Sequence, residues 1–156
     1  MIKVASFDIV FQEIPGEVTL ALNLSGCPCH CAGCHSPYLW DEVGEDLTEE
    51  LLDDLIGRYA GLITCVAFMG GDKAPEEVAA LAAYLHQSPI TNHQLPLKAA
   101  WYSGRMEMPE VTGPFDYVKI GPYVESLGGL KSKTTNQRLY KRVGNEWQDI
   151  TSSFWR

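Results

Sequence analysis

Four of the five cysteines, Cys27, Cys29, Cys31 and Cys34, fall within eight consecutive residues, too crowded for an ordinary disulfide framework. A thiol cluster on one loop points to metal or redox chemistry, and three chemistries compete for it. Four thiolates at C-x-C-x-C-x2-C could hold a structural zinc, but such sites usually draw their ligands from two separated pairs that pin two elements together. Cys31-Ala32-Gly33-Cys34-His35 matches the haem-attachment pattern C-x-x-C-H, which is specific only in exported proteins. Cys27, Cys31 and Cys34, at C-x3-C-x2-C, can hold three irons of a 4Fe-4S cubane and leave the fourth iron open to a cofactor. Cys29 has no assignment, and Cys65, inside an apolar run, reads as a small core residue.

Other residues with chemistry to offer follow the ends of expected strands. Gly70-Gly71-Asp72 combines two glycines, which let backbone approach a ligand closely, with a carboxylate that could accept from an ammonium group or cap the next helix. Ser103 and Lys119 end two further strands and are candidates for polar contact with a ribose or a carboxylate. His30 and His35 flank the cysteines, and Tyr38 and Trp40 follow them as stacking or packing aromatics. His86 and His93 read as surface residues near a helix end and a loop.

The elements that must position these residues are legible from periodicity. Val18, Leu20, Leu22 and Leu24 alternate with Thr19, Ala21 and Asn23, a strand that runs straight into the cysteine loop. From Leu47 to Tyr59 the apolar residues recur at helical spacing, with Asp46 or Thr48 as the cap. The continuous apolar run Leu62 to Met69 suits a parallel strand covered on both faces. Pro75 then opens a helix with the buried stripe Val78, Leu81, Ala82 and Leu85.

Two short strands, Lys98 to Tyr102 and Asp116 to Ile120, each end in a glycine turn, and the proline-broken stretch Arg105 to Phe115 between them is no helix. Arg138 to Val143 and Glu146 to Ile150, split by Gly144-Asn145, form a closing β-hairpin, and Val4 to Gln12 is a further candidate strand. This order predicts an α/β fold whose parallel strands are joined by right-handed crossovers, so that all the strand-end loops share one rim.

Composition narrows the partners. The chain has 156 residues, one domain's length, with a formal net charge of -8 that disfavours phosphate backbones and anionic lipid. Nucleic acid and membrane are therefore not expected partners. No run of eighteen apolar residues occurs, and Lys3, Asp8 and Glu13 interrupt any leader, so a cytoplasmic location is the expectation. Residues 131 to 156 are positive, about +4, against about -12 for the rest of the chain.

Taken together, the triad Cys27-x3-Cys31-x2-Cys34 after a first strand and Gly70-Gly71-Asp72 after a second resemble the radical S-adenosylmethionine enzymes. Gly26-Cys27-Pro28, Ala32-Gly33-Cys34, Met69-Gly70-Gly71-Asp72, Tyr102-Ser103-Gly104 and Thr135-Asn136-Gln137-Arg138 are similar to the small activating proteins of anaerobic ribonucleoside-triphosphate reductases. The likeness covers roughly residues 7 to 140, with departures at His35-Ser36 and Lys73. It implies an abbreviated, incomplete parallel β/α barrel with a C-terminal β-hairpin, forming a single radical S-adenosylmethionine domain over residues 1 to 156.

In that family Cys27, Cys31 and Cys34 would hold a 4Fe-4S cluster whose open iron is chelated by the amino and carboxylate groups of S-adenosylmethionine. Gly70, Gly71, Asp72, Ser103 and Lys119 would contact that cofactor. The implied reaction is reductive cleavage to methionine and a 5'-deoxyadenosyl radical, which makes a glycyl radical on the reductase large subunit, with a flavodoxin or ferredoxin-like electron donor. The alternatives are activation of another glycyl-radical enzyme of the formate-lyase type, a small-substrate radical enzyme, or a non-catalytic zinc or iron-sulfur interaction module.

Overall fold

A computed structural model of the chain describes residues 2–25, 44–59, 61–87 and 97–155. The cysteine loop, with His30, His35, Tyr38 and Trp40, and also His93, lie outside the described residues. In chain order the elements are β1 (Lys3–Val10), β2 (Thr19–Leu24), β3 (Glu45–Asp46), α1 (Glu49–Arg58), β4 (Cys65–Met69), α2 (Pro75–Gln87), β5 (Lys98–Tyr102), β6 (Tyr117–Ile120), β7 (Arg138–Val143) and β8 (Glu146–Asp149). A 3-10 turn, Thr151–Trp155, follows.

The eight strands form one mixed sheet in the order β3-β1-β2-β4-β5-β6-β7-β8. Its centre, β2-β4-β5-β6, is parallel, while β1, β3, β7 and β8 pair antiparallel at the flanks. Parallel strands need a long connection on one face, and α1 and α2 supply two of the three crossovers. The third, between β5 and β6, contains no helix, as the prolines at 109 and 114 predict.

The two faces of the sheet are packed differently. Leu20, Leu22, Leu24, Val66, Phe68, Trp101 and Val118 point to the helices, meeting Leu52, Leu55 and Ile56 of α1 and the expected α2 stripe Val78, Leu81, Ala82 and Leu85. On the other face small residues predominate: Cys65, Ala67 and Ala100 lie under Ile14 and Leu139, with Tyr117 beside them and Leu130 and Phe154 packed against the cluster. Because β2 lies between two other strands, its Thr19 and Ala21 are buried as fully as its leucines. The alternation in β2 thus separates large from small residues rather than core from solvent.

Several boundaries move for identifiable reasons. Thr48 rather than Asp46 caps α1, its Oγ1 accepting from the Leu51 amide at 3.1 Å, while Asp46 belongs to β3 and pairs with Lys3. The strand expected from Leu62 starts only at Cys65, because the amides of Leu62 and Ile63 turn back to the Tyr59 carbonyl and leave Leu62 exposed. Val4 to Gln12 does form a strand, β1, ending at Val10.

Candidate functional site

The ends of the four parallel strands meet on one rim. β2 ends at Leu24 and leads through Ser25 toward the cysteines, β4 into Gly70-Gly71-Asp72, β5 into Ser103-Gly104 and β6 into Gly121-Pro122. The register aligns Asn23, Met69, Tyr102 and Lys119 as one row across the small-residue face, just beneath this rim. The structure therefore gathers Gly70, Gly71, Asp72, Ser103 and Lys119 at the end of the sheet from which the cysteine loop departs.

Gly70 and Gly71 both have positive φ, 105° and 80°, which a side chain would strain. They also have no room for one. A Cβ on Gly70 would lie 3.3 Å from the Leu24 carbonyl oxygen, and one on Gly71 would lie 2.6 Å from Val78 Cγ2. The two glycines press the turn against the last residues of β2, immediately before the cysteines. The turn is fastened to β5 by Gly70 N–H donating to the Tyr102 carbonyl at 2.9 Å and by the Trp101 indole N–H donating to the Gly70 carbonyl at 2.7 Å.

Asp72 is almost fully buried, at 3% exposure. Its carboxylate accepts from Ser103 Oγ at 2.5 Å and from the Gly104 amide at 2.9 Å. Lys119 is buried too, and its ammonium donates to the carbonyls of Ser103 and Gly121 at 3.0 Å each while lying 5.5 Å from the centre of the Tyr102 ring. The polar heads picked out from the sequence thus bond to the strand-end backbone as well as standing on the rim.

Sequence reasoning missed the residues that complete this lacing. The Arg105 guanidinium donates to the Asp72 carbonyl at 3.1 Å, and the Gly121 amide donates to the Arg105 carbonyl at 2.6 Å. Gln137 Nε2 donates to the Gly121 carbonyl at 3.3 Å, and Asn136 Nδ2 to the Pro122 carbonyl at 3.1 Å. The Thr135-Asn136-Gln137-Arg138 segment, noted only for its likeness, is in fact what ties the end of β6 to the start of β7. Tyr102, whose hydroxyl donates to the Glu13 carbonyl, is held by burial well above the usual phenol range.

Beside Asp72 and Ser103 lies an open cleft of about 650 Å³, bordered by Trp101, Met106, Met108 and the start of α2 at Pro75. Residues 103–111 of the β5–β6 connection supply much of its lining. His86 is exposed, and its Nε2–H donates to the Pro114 carbonyl at 2.9 Å, consistent with a surface residue. Cys65 is fully buried, with its thiol pushed up by burial and by the Glu17 charge, so it is an inert core residue.

Comparison with protein families matches residues 15–106 to the 4Fe-4S single cluster domain. The match covers more than half of the chain, which therefore belongs to that family and is an iron-sulfur, metal-binding protein. Neither the curated proteins nor the solved structures gave a match. The matched span includes the cysteines at 27, 29, 31 and 34, and thiolates are the donors that hold iron-sulfur clusters.

Proposed function

We propose that the protein is a radical S-adenosylmethionine activating enzyme that installs a glycyl radical on an anaerobic ribonucleoside-triphosphate reductase. The observation that carries this is the convergence of Gly70-Gly71-Asp72, Ser103-Gly104 and Lys119 on the rim of the strand that enters the cysteine loop. The four parallel strands would form the core of an incomplete β/α barrel, and Cys27, Cys31 and Cys34 would hold the cluster with one iron open. The side-chain-free turn at Gly70-Gly71, packed against Leu24, suits a backbone that must lie close to a bound cofactor.

With its cluster and S-adenosylmethionine bound, such a site supplies one-electron cleavage of a carbon-sulfur bond and abstraction of hydrogen from a partner's glycine. The chain's own part is to hold and shield these groups. The Gly70-Gly71 backbone and the Ser103 bend would border the cofactor, and the Lys119 ammonium, fixed by two carbonyls, brings positive charge to the rim. A main-chain glycine is a fitting target, since its radical is stabilised by the flanking amides.

Mixed without oxygen with an anaerobic ribonucleotide reductase, S-adenosylmethionine and a reductant, the protein should yield 5'-deoxyadenosine and a glycyl signal by electron paramagnetic resonance. Cofactor cleavage at full rate without radical on any reductase, including one from the same source, would remove the activase assignment and leave a radical enzyme with another target. A reducible cluster that never cleaves the cofactor would make the chain a non-catalytic iron-sulfur module.

A further inference from the structure

We infer that Asp72 is a positioning residue: its carboxylate sets the Ser103-Gly104 bend, and through it Lys119, instead of gripping the ammonium group of a bound cofactor. The carboxylate lies in the protein interior with one oxygen on the Ser103 hydroxyl, at 2.5 Å, and the other on the Gly104 amide, at 2.9 Å. The Ser103 hydroxyl also accepts from the Arg105 amide at 3.1 Å, so its own proton is directed at Asp72. Asp72 is therefore the acceptor that closes a turn of three successive residues, 103 to 105.

That turn is the seat of Lys119. The Ser103 carbonyl is one of the two that receive the ammonium, and the Ser103 amide donates to the Lys119 carbonyl at 2.8 Å. The other receiving carbonyl, that of Gly121, is fastened to the same turn because the Gly121 amide donates to Arg105. A change at Asp72 is thus transmitted from the end of β4 across β5 to the end of β6 through the Ser103-Gly104 bend. The Arg105 guanidinium on the Asp72 main chain closes the loop in the opposite direction.

Asparagine is the discriminating substitution. It keeps the shape, can accept from the Gly104 amide and can donate to Ser103 Oγ, but it cannot pair as a charge with an ammonium group. The test joins thermal unfolding of the anaerobically purified protein with equilibrium binding of S-adenosylmethionine to the cluster-loaded protein, for Asp72→Asn, Asp72→Ala, Ser103→Ala and the double alanine variant. The binding half rests on the proposed cofactor; the unfolding half does not.

Asp72→Ala and Ser103→Ala should each lower the melting temperature, and the double variant should fall by less than the sum of the two, because the Asp72–Ser103 bond is already lost in either single variant while the Gly104 and Arg105 amides lose their acceptors separately. At temperatures where all variants remain folded, Asp72→Ala should weaken cofactor binding about tenfold and Asp72→Asn should restore it to within about threefold. Binding as poor in Asp72→Asn as in Asp72→Ala, with the melting temperature restored, would make Asp72 an ammonium ligand and overturn the inference. Unchanged binding in Asp72→Ala would reduce Asp72 to a purely structural residue and overturn it equally, as would additive effects of the two alanines on melting. Absence of cofactor binding in the parent protein would defeat the proposed function, and the unfolding cycle alone would then decide whether Asp72 sets the Ser103-Gly104 bend.

Discussion

Cys27, Cys31 and Cys34 differ from the remaining two cysteines in their spacing along the chain. Only those three give an open-iron triad at C-x3-C-x2-C, and Cys65 sits in the core under Ile14. Single alanine variants reconstituted without oxygen should therefore divide, with iron lost in the triad and kept at Cys29 and Cys65. Iron loss at Cys29 equal to that of the triad would signify four-thiolate ligation, with no iron left for a cofactor. The glycines of the rim make a second residue-scale prediction. Gly71→Ala meets Val78 at 2.6 Å and a φ of 80°, and should cost about 2–3 kcal/mol. Gly61→Ala has nearly the same φ, 83°, but open space around it, and should cost only about 1 kcal/mol. Chemical denaturation of the two variants separates the packing contribution from the backbone one.

At the scale of elements, the parallel sheet carries polar groups at both ends, and they do different work. Opposite the rim, buried Glu17 accepts from Thr64 at 2.7 Å, Lys98 at 2.6 Å and Tyr117 at 2.8 Å, joining the starts of β4, β5 and β6. Burial works against the Glu17 charge, but the hydrogen bonds from Lys98, Thr64 and Tyr117 outweigh it and bring its pKa below the usual 4.5. Its contribution to stability is then complete above about pH 4.5 and is lost as pH falls through the lower folded-state value. The hydrogen bond to Glu17 raises the Lys98 pKa above 10.5, so that contribution persists up to that pH and fades as pH rises through the higher folded value. Glu17→Gln should cost about 1–2 kcal/mol near neutrality, a modest figure because Lys98 is half exposed, and should flatten the acid limb of the stability curve. An acid limb identical to the parent's would show that other carboxylates set it.

Across the whole molecule the uneven charge has a specific structural content. Arg142 is not a free docking charge: it donates to the carbonyls of Phe115 at 2.9 Å and Thr112 at 2.7 Å, and stacks 4.4 Å from the centre of the Trp147 ring. Among the described residues, Lys131, Lys133 and Lys141 are the exposed basic residues of the tail. If this face docks an acidic electron donor or the reductase, replacing all three by glutamate should weaken association several-fold at low salt and much less at high salt. Surface-plasmon titrations at two ionic strengths would measure it, and an effect independent of salt would return the tail to a solvated hairpin. Arg142→Ala should instead lower thermal stability, since it removes the guanidinium bonds to the Phe115 and Thr112 carbonyls of the β5–β6 connection, of which, among the described residues, only Thr112 keeps another donor, the Phe115 amide.

Local chemistry and periodicity were enough for the sequence to determine the helices, the parallel strands and the shared rim. Thiolate spacing is read directly, the α2 stripe repeats at 3.6 residues, and a strand followed by a crossover and another strand returns each end to the same side. Antiparallel placement of β1 beside β2, and of β7 beside β6, came only from tertiary pairing, because edge register depends on contacts far apart in the chain. Whether a rim side chain presents its head outward or spends it on a neighbour was equally a tertiary decision. Asp72, Ser103 and Lys119 are polar residues at strand ends in sequence, but burial obliges each to find a partner: Asp72 takes the Ser103 hydroxyl and the Gly104 amide, and Lys119 the carbonyls of Ser103 and Gly121.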